Sequence, residues 1–366
     1  MSRKTKWAIV GGGNGGQSVA GHLALMGYPV RLYDIFPNTV NRINEQGGIK
    51  IGGVVEGFGK LEFATLDMGK ALAGADVVLV TAPATAHRTI ARECAPHLTD
   101  RQIVIIHPSA TCGALEFNEV LRKSGCGIDL PVAETNSLIY TCRSPRPGEA
   151  EILGIKQDLV LATLPADKNT RALECFQEAF PQIKAGRNIL ETGLGNANAV
   201  MHPTPSILNL SLIESRHEWL YYWEGITPTI GAFVEALDEE RLALAKSFGL
   251  DLPSIREWYR LAYGVEGQSL SEVCRKNPAY EKVKGQKELR TRYILEDIPY
   301  SLVPMIELGR MQGLSMDRMD VIARLGQYLL RDDCFLANGR TLKNLGVDNM
   351  NSGQFVRFIQ TGERPV

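Results

Sequence analysis

The sequence predicts an α/β domain followed by a mostly α-helical domain, and three observations carry that expectation. A short apolar strand, Trp7-Ala8-Ile9-Val10, runs straight into Gly11-Gly12-Gly13-Asn14-Gly15-Gly16 and then into a helix-forming stretch from Gln17 to Met26, closed by Gly27. Two further segments, 75–81 and 102–106, read as buried parallel strands, with unbroken apolar runs at 77–80 and 103–106. Beyond about residue 186 the pattern changes, and apolar residues recur at helical spacing, as in Ile230, Phe233, Val234, Leu237, Leu244 and Phe248.

The glycine string gains its meaning from its setting, because a lone G-x-G-x-x-G is a weak signal in a chain with 36 glycines. Gly11 suits a tight turn, Gly13 lets the backbone approach a pyrophosphate, and Gly16 lets the helix pack against the strand. The helix start supplies free N–H groups and the positive end of the dipole for that pyrophosphate. A second strand, Val30-Arg31-Leu32-Tyr33, ends at Asp34, about 20 residues past the glycines, where a carboxylate takes the ribose hydroxyls. Alternatively, 11–16 is merely a loop and Asp34 a surface acid; strand, loop, helix, strand and acid in the right order favour a Rossmann-like dinucleotide cradle. Gly11, Gly13, Asn14, Gly15, Gly16, Asp34 and Pro83 are its expected cofactor contacts. Asp34 points to NAD(H), since a 2′-phosphate would meet a like charge, while Arg31 and Arg42 keep NADP(H) open.

At 366 residues the chain is too long for one typical core, and its 44% hydrophobic and 22% charged content is that of a globular protein. A net charge of −1 leaves no basic field for nucleic acid or an anionic membrane. The N-terminal residues lead directly into the first strand, and no apolar run approaches the ~20 residues of a membrane span, so a cytoplasmic protein is expected. Seven cysteines show no CxxC and no metal-like spacing with the six histidines, which implies reduced thiols and no metal site.

Along the chain, 39–46 reads as a helix, and Gly74 closes the helix before the strand at 75–81. Ala82-Pro83-Ala84 follows at the carboxyl end of that strand, the edge where open α/β sheets bind ligands. A helix is expected over 85–95, and His107-Pro108-Ser109 leaves the strand at 102–106. Pro131-Val132-Ala133-Glu134 is a further strand end; 138–142, 151–156 and 159–163 read as strands and 168–180 as a helix. The first domain is therefore placed at 1–186 and the helical one at 187–366, sharing a packed cleft. Thr227 is the N-cap and Pro228 the first residue of a helix ending at Gly249. Helical patterns cover 293–313, interrupted by Pro299 and Pro304, and 316–330.

The helical domain holds the candidate chemistry. His202, between Met201 and Pro203 and with Pro205 beyond, sits where a helix must break, among Asn196, Asn198 and Asn209. Such a histidine is a structural residue or a proton donor. Arg292 and Asp297 are a surface ion pair or cap, or else an arginine that grips a carboxylate and an aspartate that orients a histidine; spacing alone does not decide. Tyr140, Tyr221, Tyr222 and Trp223 are core residues or the lining of a pocket.

Taken together, Gly11–Gly16, Glu134-Thr135-Asn136-Ser137, Asn198-Ala199-Val200-Met201-His202-Pro203 and Arg292-Tyr293 with Glu296-Asp297 resemble the opine dehydrogenases of the octopine/nopaline type, most of all the bacterial N-(1-carboxyethyl)-norvaline dehydrogenases. The resemblance extends through Thr141-Cys142-Arg143-Ser144, Glu224-Gly225-Ile226-Thr227-Pro228, Asn277-Pro278-Ala279-Tyr280 and Arg340-Thr341-Leu342. It implies a homodimeric, NAD(H)-dependent oxidoreductase acting on a CH–NH group, which reduces the imine formed from an α-keto acid, such as pyruvate, and an amino acid held between the domains. It implies His202 as the catalytic acid, Asp297 as its support, Arg292 as the keto-acid carboxylate contact, and Glu134 with Thr135 at the amino-acid partner. Gly12, His107 and Thr81-Ala82 depart from common family residues; the first has no evident consequence, and the others bear on substrate scope. A hydroxy-acid dehydrogenase and a non-catalytic NAD(H) sensor are the rival readings.

Overall fold

The computed structural model describes residues 3–215 and 217–365 and clusters into two compact units. The first comprises Met1–Ser109, Gly113–Thr192 and Arg357–Val366; the second comprises Ala110–Cys112 and Gly193–Val356. The boundary expected at 186/187 thus falls at 192/193, and the last ten residues return to the first unit. Burial explains that return: Arg364 pairs at 2.9 Å with the buried Glu119, which also holds Arg122 and Lys123.

The first unit contains β1 Trp7–Val10, β2 Val30–Tyr33, β3 Gly48–Gly53, β4 Gly57–Lys60, β5 Phe63–Thr65, β6 Val77–Val80, β7 Ile103–Ile106, β8 Val132–Thr135, β9 Tyr140–Arg143, β10 Glu149–Ile155, β11 Leu159–Leu164 and β12 Ile183–Ala185. One eight-stranded sheet runs β12-β11-β8-β7-β6-β1-β2-β5, parallel except between β8 and β11. Strands β1, β6 and β7 are buried along their whole length, as their apolar runs require. Trp7 lies opposite Val30 and Val77, and Val10 opposite Tyr33 and Val80. The three strands therefore end level, and the loops starting at Gly11 and Thr81 leave the sheet on either side of the point where its order reverses.

A second sheet, β4-β3-β10-β9, lies against helix α1, Asn14–Leu25. The fit is close enough that a Cβ on Gly59 would meet Gly21 O at 2.0 Å, and one on Gly21 would meet Ile51 Cδ1 at 2.5 Å. Strands β3 to β5 were not expected from the sequence, because glycines interrupt β3 and β4 and leave no apolar run.

In the second unit the longest helix is Pro228–Ser247, capped by Thr227, whose Oγ1 accepts from Ile230 N at 3.3 Å. Val234, Leu237, Leu244 and Ala245 form its buried face. The expected helix over 293–313 is divided into Arg292–Leu295, a π-helical turn Ile298–Leu302, and Val303–Met311. Pro299 and Pro304 sit at the starts of the last two pieces, where their missing N–H groups cost least.

His107, at the end of β7, is fully buried in the first unit, edge-on to Phe176 at 5.4 Å. Its Nε2 accepts from Ile139 N at 3.1 Å, so its proton is on Nδ1, 2.7 Å from Thr135 Oγ1. Thr135 Oγ1 in turn donates to Ser137 O at 3.1 Å. One neutral imidazole thus clamps the turn 135–139. Burial, reinforced by the Lys156 ammonium, holds its pKa down at about 3. The unfolded chain takes up a proton near pH 6.5 that the folded chain refuses, so stability is lost as pH falls from about 6.5 to about 3. Urea unfolding followed across that window should show His107 contributing on the order of a few kcal/mol of the acid loss. His107→Gln should flatten the curve; an unchanged slope would contradict the assignment.

Candidate active site

The glycine loop is built for close approach. Gly11 has φ +107°, and a Cβ on Gly16 would lie 1.7 Å from Gly11 O, so the first turn of α1 packs directly on the end of β1. Thr81 Oγ1 fixes that turn by donating to Gly11 O at 2.9 Å. Gly13, the N-cap, has no atom within 4 Å of where its Cβ would stand and provides no side-chain cap. No acidic side chain occupies the first turn of α1. These features fit a dinucleotide: open space above Gly13 admits the pyrophosphate, and the unclaimed N–H groups receive it. The Asn14 side chain is used differently, with Oδ1 accepting from Ser144 N at 2.8 Å, so Asn14 has its backbone to offer a cofactor. Gln17 braces the loop, donating to Gly12 O and Ser144 Oγ at 2.8 Å each. Gly15 faces Leu138, whose Cδ1 a Cβ would meet at 3.1 Å. Pro83 opens the 3-10 turn Ala84–Ala86 beyond β6.

Asp34 is 5% exposed at the end of β2. Burial pushes its pKa up, and the backbone N–H groups of Phe36, Ile35 and Gly12 pull against that shift. A Cβ on Gly12 would lie 2.2 Å from Asp34 Oδ2. The departure at Gly12 therefore has a consequence that the sequence did not reveal: only glycine leaves room for the carboxylate in this position. Arg31, one of two cations that kept NADP(H) open, is committed to Glu62 at 2.6 Å and stacks over Phe63; Arg42 is exposed.

Glu134 and Thr135 do not stand at an accessible surface. Both are fully buried, with Glu134 accepting from Ala114 N at 2.7 Å and from Thr192 Oγ1 at 2.6 Å. Their polar atoms serve the interior of the first unit, and this geometry supports an anchoring role in place of the expected contact with an amino acid. Tyr140 is likewise core, its hydroxyl 2.6 Å from His22 Nδ1.

In the second unit, His202 stands at the joint between helices Asn198–Met201 and Pro203–Leu208, the break its flanking proline predicts. Its Nδ1 is 2.8 Å from Asp297 Oδ2, and both residues are buried. That bond commits Nδ1–H to the carboxylate and makes Nε2 the nitrogen through which a proton can move. Arg292, five residues before Asp297, is 64% exposed and pairs with Glu296 at 3.3 Å. Nearby amides are structural: Asn209 Nδ2 donates to Pro205 O and Gly225 O at 2.8 Å each. Tyr221 and Tyr222 are buried, and burial raises both phenols well above the usual range. Sequence reasoning gave Tyr293 no role, yet its ring is stacked on His202 at 3.8 Å; its place beside Arg292 was the signal available.

Comparison with known proteins gives this geometry its setting. A family profile described as "NAD/NADP octopine/nopaline dehydrogenase, alpha-helical domain" matches residues 185–330, and one for the "NAD-dependent glycerol-3-phosphate dehydrogenase N-terminus" matches residues 6–116. The opine dehydrogenase of Arthrobacter sp. (strain 1C) is 40% identical over 353 residues, 96% of this chain and 98% of that protein. The chain belongs to the opine dehydrogenase family. "Protein ocs" of Agrobacterium tumefaciens (strain Ach5) is 24% identical over 360 residues, covering 97% of this chain and 99% of that one. Octopine dehydrogenase in complex with NADH and agmatine superposes with a TM-score of 0.82 at 20% identity over 99% of both chains. Yersinopine dehydrogenase with NADP+ bound gives 0.77 at 14% identity, over 99% of this chain and 100% of that one. At those identities the likeness is one of fold. As an opine dehydrogenase, the protein is an NAD(P)-dependent oxidoreductase acting on the CH–NH group, and NAD(H) is its cofactor.

If Asp34 and Gly12 set cofactor preference together, either Asp34→Ser or Gly12→Ala should narrow the preference for NADH over NADPH, read as the ratio of the two dissociation constants by fluorescence titration. A variant Gly12→Ala with an unaltered ratio would break that link.

Proposed function

We propose that this opine dehydrogenase condenses a small α-keto acid such as pyruvate with the amino group of an amino acid, and reduces the resulting imine to an N-(1-carboxyalkyl) amino acid. The observation that carries the site assignment is the buried His202–Asp297 pair at 2.8 Å, with Arg292 exposed five residues upstream of Asp297. The amine nitrogen attacks the keto carbon, the carbonyl oxygen leaves as water, and NADH supplies hydride to the imine carbon. His202 Nε2 delivers the proton that the carbonyl oxygen or the new amine needs, and Asp297 holds the ring that gives it through Nδ1. Arg292 holds the keto-acid carboxylate with two parallel hydrogen bonds, which fixes the face of the reacting carbon. Its pairing with Glu296 is the exposed kind that a charged ligand can displace.

Gly11, Gly13, Asn14, Gly15, Gly16 and Pro83 hold the cofactor, and Asp34 selects NAD(H) over NADP(H) by meeting the ribose hydroxyls with a carboxylate. We place the enzyme in the cytoplasm as a homodimer. Support for the second copy comes from helix Asp317–Leu330, where Val321, Leu325 and Tyr328 are exposed at helical spacing.

With NADH and pyruvate, oxidation of the cofactor should depend on an added uncharged amino acid, and mass spectrometry should find the secondary-amine dicarboxylic acid. Attack needs the neutral amine, so the forward rate should fall at low pH, where the amino group is protonated. Lactate as the only product, indifferent to a broad amine panel, would replace this reading with that of a hydroxy-acid dehydrogenase.

His202→Ala and Arg292→Ala should damage different quantities. Loss of the proton donor should lower kcat by about 10²–10⁴ with NADH binding intact. Arg292→Ala should mainly raise KM for the keto acid, and Arg292→Lys should rescue little of it. Near-normal turnover of His202→Ala would remove its assigned role.

A further inference from the structure

Tyr293 lies between Arg292 and the Glu296-Asp297 pair, and its ring lies flat on the His202 imidazole, centroids 3.8 Å apart and planes 8° from parallel. Tyr221 meets Tyr293 edge-on at 5.2 Å, and its hydroxyl is 2.7 Å from His202 O and 3.1 Å from Met201 O. Ser206 Oγ, which accepts from Gln286 Nε2 at 2.6 Å, is 3.1 Å from the same hydroxyl. His202 is therefore held at its carbonyl by Tyr221, at Nδ1 by Asp297 and across its ring by Tyr293.

The three constraints are not redundant. A single hydrogen bond at Nδ1 leaves the imidazole able to rock about that bond, which would swing Nε2 through an arc; a ring stacked on its face removes that freedom.

We infer that Tyr293 is a positioning residue for His202, its stacked ring fixing the plane in which Nε2 delivers the proton. The inference rests on His202 acting as the acid. The Asp297 carboxylate and the Tyr221 and Tyr293 phenols each contact His202. On the neighbouring elements charges are internally paired: Arg292 with Glu296, Arg241 with Asp238, Arg318 with Glu240, and Arg324 with Asp320. Tyr221 stays neutral because burial raises its phenol well above the usual range.

The test is the split between kcat and KM in the imine-reducing direction, measured on the full chain with NADH, pyruvate and an amino acid. Tyr293→Phe keeps the ring and should leave both in place. Tyr293→Leu should lower kcat roughly tenfold through lost orientation, with KM for pyruvate and the dissociation constant for NADH unchanged. Tyr293→Met, which has no flat face to lay on the imidazole, should lower kcat in the same way in a protein of near-native Tm, so the test survives poor folding of the leucine variant. An unchanged kcat in a folded Tyr293→Leu or Tyr293→Met protein, or an equal loss in Tyr293→Phe, overturns the inference. His202→Ala run alongside separates the two levels: if it is inactive, such a result removes the role of Tyr293 alone, whereas if it is active the assignment of His202 itself falls.

Discussion

The second unit is organised around one hydrogen bond, His202 Nδ1 to Asp297 Oδ2 at 2.8 Å, made across 95 residues of sequence. A buried carboxylate is costly unless it is bonded, and a cation is its most effective partner. The chain meets that demand with two irregularities. Pro203 interrupts the helix just after His202, and the π-helical turn Ile298–Leu302 begins just after Asp297. Either side chain would be carried elsewhere by a continuous helix; π-turns recur at functional sites for this reason. Tyr221 and Tyr293 then fix what the break leaves loose, the backbone and ring of His202.

A comparable constraint governs the glycine loop, where backbone meets backbone. The approach of Gly16 to Gly11 O leaves no space for a side chain, while Gly13 is open on the face where a ligand would come. Gly12 is bound to the end of the neighbouring strand through Asp34. Turn geometry, helix packing and the Asp34 carboxylate are thereby joined at the ends of β1 and β2.

How much of this was legible follows from the kind of signal each feature leaves. Strands β1, β6 and β7 are short apolar runs with clear borders, β2 is a short strand whose run is broken by Arg31, and the helix Pro228–Ser247 announces itself through Thr227, Pro228 and its spaced apolar face. Strands β3 and β4 leave no run because Gly48, Gly52, Gly53, Gly57 and Gly59 interrupt them, and their register is set by α1 and β10. Helix Gly113–Lys123 buries Glu116 and Glu119, so its inner face looks polar until Arg88 and Arg364 are found beside those acids. The return of residues 357–365 to the first unit depends on the same partner. His202, Arg292 and Asp297 were legible as a set through resemblance, but Tyr293 was not, since stacking between distant residues has no spacing to read.

Resemblance also gathers residues of unlike purpose into one signature. In the run Glu134-Thr135-Asn136-Ser137 every side chain is spent inside the first unit: Glu134 on Ala114 N and Thr192, Thr135 on His107 and Ser137 O, Asn136 on Val160 N, and Ser137 on Lys156. Glu134 alone joins the start of helix Gly113–Lys123, strand β8 and the segment before Gly193. A fully buried acid with its oxygens so engaged is hard to replace, because removing any one partner leaves a desolvated charge or an unpaired donor behind. A family can therefore carry such a residue for the sake of the turn it holds, which sets Glu134 apart from the exposed guanidinium of Arg292 and the open backbone at Gly13.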